Sequence, residues 1–432
     1  MTKFLRPSRA RALPLALGLA LVLSSGAALC EANRRAGDPL GTWLHWLPRW
    51  TGTACAASPD ANSDPTVSAL SPGSPVLDLL LRNPASARHW VQMGQILFSE
   101  NQPANAGYCF ERAVELAPYS PPMLLEAAAF SHAMGRCAEG LGRMKHVLAQ
   151  TREYDKAIFS LYGRVADVST VLAQGLPPDA GAGRAYFAYL LEARDLRAAR
   201  LVWDWLSVHD YVDTAVARRY LLFLIAEQLH DEAAETFARL LPAAERAAAG
   251  NRVTHGGFEA GGSGLPLDWA VAANAHAEVR RDDSCSWEGV WSLRIEFDGK
   301  DNLEYRHIAQ QAVVSSGRWK LSARIRTQGI SSDQGIGLRI FDARSASKWQ
   351  VWSGTVSGDS PWTAIEETVT IPAETPLVQV EIVRRPSRKL DNKLGGIVWI
   401  DEVSLTPLRA PTQPGKPPAP SKTPSRLREC AG

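Results

Sequence analysis

Residues 87–118 read ARHWVQMGQILFSENQPANAGYCFERAVELAP, and this stretch decides the fold of the first half of the chain. It contains two runs of apolar and small residues with helical spacing. They are Trp90, Met93, Gly94 and Leu97, followed by Ala106, Phe110 and Ala113. Gly94 and Ala106 are small where two antiparallel helices must approach closely, while Trp90 and Phe110 fill the surrounding space. The stretch therefore predicts a helix hairpin that ends at Pro118.

This spacing resembles that of the tetratricopeptide repeat at nearly every signature position. Weaker copies follow along the chain. They are Leu124, Ala127, Ala128, Gly140, Met144 and Val147, and then Ala198, Val202 and Trp205, which recur as Ala233, Phe237 and Leu240. Because one hairpin cannot bury its apolar face alone, several must stack. We expect a tetratricopeptide-like α-solenoid over residues 77–248, least regular around residues 174–178. The resemblance implies that this solenoid binds a protein partner.

The length and charge of the chain limit the classes of function. It has 432 residues and a net charge of +2. At about 150 residues per domain, this length allows two or three domains. Nucleic-acid binding usually needs a concentrated basic face, so this charge balance gives no case for a nucleic-acid partner.

The first 29 residues have the pattern of an export signal. Four basic residues up to Arg11 precede an apolar stretch over residues 12–29. This stretch is near the minimum length of a membrane-spanning helix, so cleavage and retention as an N-terminal membrane anchor both stay open. Cys30 follows the bulky Leu29, which disfavours a lipoprotein signal.

Residues 30–76 combine an aromatic cluster with a linker. The cluster is spaced to share one face of a short helix, and its members are Trp43, Trp46, Leu47 and Trp50. That face either meets the membrane interface, which Trp favours, or packs on the solenoid. Residues 51–75 are rich in Ser, Pro, Ala and Asp, which is typical of a flexible linker.

The six cysteines fall in no metal-binding spacing. They are Cys30, Cys55, Cys109, Cys137, Cys285 and Cys430. Six thiols permit about 15 pairings, and the sequence does not choose among them. Cys109, next to Phe110, is most simply a small buried residue, although export would permit a bridge between Cys109 and Cys137.

From Asn251 onward the apolar period becomes two. Two clear alternating runs are centred on Leu321 and Val380, and further short runs begin at Leu293, Ile336 and Val398. About eight short strands, with no helical pattern between them, predict an antiparallel β-sandwich over residues 251–407. A jelly roll is the expected form.

The two ends of this region resemble carbohydrate-binding modules and galactose-binding-like jelly rolls. The resemblance rests on the opening residues, which include Gly256, Gly257, Phe258 and Glu259, and on the closing run WIDEVSL at residues 399–405. The middle of the region is similar to a subgroup that follows tetratricopeptide repeats in bacterial exopolysaccharide-related envelope proteins. The resemblance implies polysaccharide binding, a role in exopolysaccharide assembly or export, and a location in the periplasm or cell envelope.

Glu259 and Asp401 come close together if the two ends of the sandwich pair at one edge. Two carboxylates plus loop carbonyls are the hard oxygen ligands that Ca²⁺ takes. The family often holds a structural calcium ion at this position, so the resemblance implies calcium and no other cofactor. Without the ion, both are edge-strand residues that cap turns.

Sugar binding requires exposed aromatic rings and a few polar groups that orient hydroxyls. The candidate rings, which fall in or beside turn-rich stretches, are Trp349, Trp352 and Trp362. The candidate hydrogen-bonding groups are Arg339, Asp342 and Gln350. The alternative is that these three tryptophans fill the space between the two sheets, as Trp319 and Trp399 are expected to do.

The most basic run of the chain precedes the last predicted strand. It comprises Arg384, Arg385, Arg388, Lys389 and Lys393. A long loop there could meet uronate or sulfate groups of an acidic glycan, or anionic lipid headgroups, or it could be solvated without a partner. The Pro-rich tail of residues 408–432 is typical of a disordered segment or a polyproline spacer.

The sequence contains no glycine-rich phosphate loop, no nucleophile elbow and no paired-histidine zinc motif. Glu296, Asp298 and Asp301 could be nominated as glycosidase carboxylates, but they lie at a strand end and its turn, where carboxylates are ordinary. We therefore predict a non-catalytic envelope adaptor. The alternatives are a purely structural assembly adaptor that binds no glycan, and a carbohydrate-active hydrolase.

Overall fold

The computed structural model describes residues 75–246, 250–390 and 392–408. The chain forms two compact units that divide between Tyr211 and Val212. The predicted export signal, the Trp-containing segment with its linker, and the Pro-rich tail lie outside the described residues.

The first unit is helical throughout its described part. Its helices are α1 Pro75–Arg82, α2 Ala87–Ser99, α3 Pro103–Leu116, α4 Pro121–Ala133, α5 Cys137–Gln150, α6 Asp155–Val165, α7 Val168–Thr170, α8 Ala180–Glu192 and α9 Leu196–Val208. The hairpin predicted from residues 87–118 is confirmed as α2 and α3, and the next predicted pair forms α4 and α5. Residues 174–178, which we expected to be least regular, lie between α7 and α8, where the π-helical turn Val171–Gly175 ends.

Small residues set the distance between α2 and α3. A Cβ atom on Gly94 would lie 3.0 Å from Cε2 of Phe110, which is fully buried. Phe110 also stacks on Phe130 of α4, with ring centroids 4.7 Å apart. Arg143 of α5 forms an ion pair with Glu111 of α3, at 2.6 Å. The first two hairpins are therefore joined by both aromatic packing and charge.

The cysteines in the described residues include one free thiol and two bonded sulfurs. Cys109 is free and buried, and burial raises the pKa of its thiol to about 12. Cys137 and Cys285 are each disulfide-bonded. Cys109 is thus a small buried residue, as the simplest interpretation of the sequence has it, and it forms no bridge with Cys137.

The second unit begins with two helices, α10 Thr214–Ala226 and α11 His230–Leu240, and a 3₁₀ turn at Ala243–Glu245. These helices, which the sequence analysis placed in the solenoid, belong to the same compact unit as the strands, and α11 packs against β4. None of the helices in the described ranges combines the length and the apolar character needed to cross a membrane.

Ten strands follow in the described part of the second unit. They are β1 Ala270–Val271, β2 Ala277–Asp282, β3 Ser292–Asp298, β4 Tyr305–Val313, β5 Gly317–Ile330, β6 Ile336–Asp342, β7 Gln350–Val356, β8 Gly358–Ile371, β9 Leu377–Arg384 and β10 Gly395–Pro407. Sheet A has the order β1-β4-β9-β6-β7, and sheet B has the order β2-β3-β10-β5-β8. All pairings between these strands are antiparallel.

The core of the sandwich follows the predicted alternation. On β9, Val378, Val380 and Ile382 are fully buried in the core cluster. On β5, Leu321 and Ile325 belong to the same cluster, and at most 1% of each residue is exposed. The prediction of a helical region followed by an antiparallel β-sandwich is confirmed.

Candidate functional site

A cluster of polar and aromatic side chains lies on the outer face of sheet A. Since Val380 and Ile382 of β9 face the core, Glu381 between them faces outward. The strand register then places Glu381 opposite Arg339 of β6, and Arg339 opposite Trp352 of β7. We call Arg339, Gln350, Trp352, Glu381 and Arg385 the Trp352 cluster.

Arg339 and Glu381 form a buried ion pair within this cluster. Arg339 Nη1 lies 3.4 Å from Glu381 Oε2, and only 6% and 7% of the two residues are exposed. Gln379 donates from Nε2 to the other carboxylate oxygen of Glu381, at 2.8 Å. Burial lowers the pKa of the Arg339 guanidinium, and the charge of Glu381 opposes this effect. Arg339 Nε is buried and finds no hydrogen-bond acceptor among the described residues.

Trp352 lies beneath two guanidinium groups. The Arg385 guanidinium carbon is 3.9 Å from the centroid of the Trp352 ring, and that of Arg339 is 4.9 Å from it. The half-buried Trp352 donates from Nε1 to Gln350 Oε1 at 3.2 Å. Arg339 also lies over Phe341, at 4.3 Å. The ring is thus held at its edge and covered by cations.

Three of the six predicted glycan-binding residues meet in this cluster: Arg339, Gln350 and Trp352. The other three lie elsewhere. Trp349 packs against the sandwich core. Trp362 is in β8 of sheet B, in an edge-to-face contact with Trp287 at 6.5 Å.

Asp342 is the remaining predicted residue, and it is fully buried. It accepts hydrogen bonds from Arg344 Nη2 at 2.8 Å and from the Thr375 hydroxyl at 3.0 Å. The hydrogen bonds from Arg344 hold the pKa of this carboxyl down, at about 2. Asp342 therefore anchors a turn and leaves no polar group for a ligand.

One residue of the predicted basic patch, Arg384, is buried and is not part of the surface. Arg384 is 1% exposed, and its guanidinium donates to Asn302 Oδ1, the Leu303 carbonyl and Ser332 Oγ at 2.6–2.7 Å. The other members are exposed; they are Arg385, Arg388, Lys389 and Lys393. Lys389 Nζ lies 3.5 Å from Asp333 Oδ2.

Glu259 and Asp401 both accept hydrogen bonds from the backbone of the loop between β2 and β3. Glu259 Oε1 accepts from the backbone N–H groups of Val290 and Trp291, at 2.8 and 2.9 Å. Asp401 Oδ2 accepts from those of Trp287 and Glu288, at 2.8 and 3.2 Å. Burial raises the pKa of Asp401 to about 7.

The two carboxylates at this loop could provide oxygen ligands for a calcium ion. Glu259 Oε2 accepts no hydrogen bond from the described residues, and the buried Asp401 carboxylate would be stabilised by a cation. The described ranges hold no group of three or more Asp, Glu, His or Cys side chains placed around one ion. An ion there would therefore need main-chain carbonyls or water as further ligands.

The carboxylates nominated for hydrolysis are already engaged. Glu296 pairs with Arg294 at 2.7 Å, and Asp298 pairs with His276 at 3.1 Å. The hydrogen bond from His276 lowers the pKa of Asp298. Asp301 accepts a hydrogen bond from the backbone N–H of Asn302.

The sequence analysis did not select Glu381 of the cluster, nor its neighbours Gln379 and Phe341. The alternation of β9 puts Gln379 and Glu381 on the face opposite to the core residues, so this signal was present in the sequence. What was missing was the register that sets Glu381 beside Arg339.

No protein-family model matches this chain, and no curated protein matches it. Carbohydrate-binding modules are among the solved structures it resembles. A family 61 module in complex with β-1,4-galactotriose is 16% identical, with a TM-score of 0.27, and the match covers 37% of this chain and 99% of that one. The C-terminal family 22 module of a Clostridium thermocellum xylanase is 17% identical, with a TM-score of 0.25, covering 37% and 96%. A family 22 xylan-binding domain is 15% identical, with a TM-score of 0.25, covering 38% and 96%.

Proposed function

We propose that this protein is a non-catalytic adaptor whose β-sandwich binds polysaccharide at the Trp352 cluster, while its helices bind a protein partner. The observation that carries the proposal is the buried Arg339–Glu381 pair beside an aromatic ring on the outer face of a sheet. Beside this buried pair, the exposed Gln350 and Arg385 supply donors and acceptors for sugar hydroxyls, and the half-buried Trp352 ring supplies an apolar surface.

The proposal includes export to the bacterial periplasm or envelope and a role in exopolysaccharide assembly or export. Disulfide bonds persist mainly in oxidising compartments. The bonded state of Cys137 and Cys285 therefore supports export. Attachment to the inner membrane through residues 1–29 is part of the same proposal.

One observation favours a purely structural adaptor instead. A sugar ring stacks on the bare face of an aromatic ring, but Arg339 and Arg385 already lie over Trp352. If both guanidinium groups stay in place, the cluster would stabilise sheet A without binding a neutral sugar.

A glycan array probed with the full chain tests the proposal. We expect binding to at least one polysaccharide, and a loss of affinity of about two- to tenfold on Trp352→Ala, since an aromatic contact contributes about 0.5–1.5 kcal/mol. Trp362→Ala is the matched control, because Trp362 is a half-buried tryptophan on the other sheet. No binding to any glycan, or an equal loss in both variants, would favour the structural adaptor.

A structural calcium ion at Glu259 and Asp401 is a separate part of the proposal. Adding about 1 mM CaCl₂ should raise the melting temperature of the full chain, because an ion that binds only the folded state stabilises it by mass action. Asp401→Asn and Glu259→Gln should each remove that rise. A rise of equal size in both variants would rule out these carboxylates as ligands.

A further inference from the structure

Arg385 is the one guanidinium of the Trp352 cluster that reaches solvent. It is exposed, and its guanidinium carbon lies 3.9 Å from the centre of the Trp352 ring. A guanidinium that lies over an aromatic ring keeps the N–H groups at its rim free to donate. Arg385 can therefore offer a pair of parallel N–H groups to a planar carboxylate while it remains on the ring.

The other arginines near the ring are already neutralised. Arg339 pairs with Glu381, and Arg306, whose charge acts on Arg339, pairs with Glu304. Within the described ranges no carboxylate oxygen lies within ion-pair distance of the Arg385 guanidinium. The cluster thus carries one uncompensated positive charge, and it is placed at the solvent-facing side of the ring.

The backbone position of Arg385 is fixed by the residue before it. Arg384, the preceding residue, is buried and donates to Asn302, Leu303 and Ser332 at 2.6–2.7 Å. These bonds hold the backbone where β9 ends. Arg385 consequently starts from a defined position, which reduces the entropy lost when it binds a ligand group.

A neutral sugar and an acidic sugar would meet this arrangement differently. To stack on Trp352, a neutral sugar has to displace the guanidinium of Arg385 from the ring. An acidic sugar can leave Arg385 on the ring and bind its N–H groups through the carboxylate. The arrangement therefore favours binding of an acidic sugar over binding of a neutral sugar that stacks on the ring.

We propose that the ligand of the Trp352 cluster is an acidic polysaccharide, and that Arg385, supported by Trp352, binds a carboxylate of its uronate units. This inference rests on the proposed glycan binding. A sulfated glycan offers a related anionic group, but its tetrahedral oxygens do not match the flat fork of the guanidinium as a carboxylate does.

Titration of the full chain with polygalacturonate and with its methyl ester tests this choice. The two polymers differ only in the methyl esterification of the carboxyl group, which removes its charge. We expect the acid to bind about tenfold or more tightly than the ester, as a charge-assisted hydrogen bond to a carboxylate implies. Arg385→Gln should abolish that preference and strengthen binding of the ester, because a neutral sugar then has no guanidinium to displace from Trp352, whereas Arg385→Lys should keep part of the preference.

Arg388→Gln is the control, since it removes an exposed charge from the same loop without touching Trp352. Its affinity for polygalacturonate should change by less than about twofold, as for a solvated surface charge. If acid and ester bind equally and Trp352→Ala weakens both, glycan binding stands and the acidic selection fails. If dextran sulfate binds as tightly as polygalacturonate, and Arg388→Gln weakens both polymers as much as Arg385→Gln, the charge effect is unspecific and the inference is overturned.

Discussion

Replacing Arg384 with Gln should destabilise the second unit strongly, although the residue lies in a run of basic residues that looks like a surface patch. The buried guanidinium donates five hydrogen bonds. Their acceptors are Asn302 Oδ1, Ser332 Oγ and the carbonyls of Leu303, Gln334 and Asn392. Burial lowers the pKa of Arg384, so the folded state already bears a cost for this charge. The hydrogen bonds are what offsets that cost.

A glutamine amide has two N–H donors, so at least three of the five acceptors would lose their partner. Each hydrogen bond to a charged group contributes about 1.5–3 kcal/mol, but such values do not add. We therefore expect Arg384→Gln to lower the free energy of unfolding by about 3–5 kcal/mol. For a unit of roughly 200 residues, a loss of ~3 kcal/mol lowers the melting temperature by about 6–12 °C.

Urea unfolding of the full chain, followed by tryptophan fluorescence, measures this change. Arg388→Gln is the matched control, because the side chain is exposed and the sequence change is the same. Its effect should stay within about 0.5 kcal/mol. If the two variants unfold at the same urea concentration, the hydrogen-bond network of Arg384 contributes nothing to stability, and the reasoning is refuted.

One pair of substitutions tests the packing of the first unit, and a further substitution tests the pH dependence of the second. Gly94→Val should lower the free energy of unfolding by about 1–3 kcal/mol, because the added atoms meet the Phe110 ring. Gly142→Ala, on the open face of α5, should be neutral or stabilising. Equal melting temperatures for the two variants would contradict this. The pKa of His255 is raised, first by its hydrogen bond to Asp268. Protonated His255 therefore stabilises the folded state fully below about pH 6.5, and this stabilisation is lost as pH rises through the folded-state pKa. His255→Gln should flatten the fall in melting temperature above about pH 6.5, and an unchanged slope would exclude this histidine.

Much of the fold could be predicted because its signals are local. The contact of Gly94 with Phe110 follows from helix spacing, and the inward residues of β5 and β9 follow from strand alternation. The strands β7 and β8 were missed because Gly354 to Pro361 is rich in turn formers. Both are edge strands, where Gly and Pro are tolerated since one side makes no ladder.

The candidate site was predictable only in part, because its members meet through register. Arg339, Gln350 and Trp352 were selected by residue type, but Glu381 is recognisable only once β6 and β9 are aligned. The burial of Arg384 depends on acceptors around residues 302 and 332, more than 50 positions earlier in the chain. No local pattern in the sequence carries that information.

The position of β10 has a consequence for how the second unit forms. It is the last of the described strands, yet it lies between β3 and β5 in the middle of sheet B. Until it arrives, the pairs β2–β3 and β5–β8 have no partner to join them. Closure of sheet B therefore depends on contacts between β10 and strands that lie far earlier in the chain, and such long-range pairing makes folding slow.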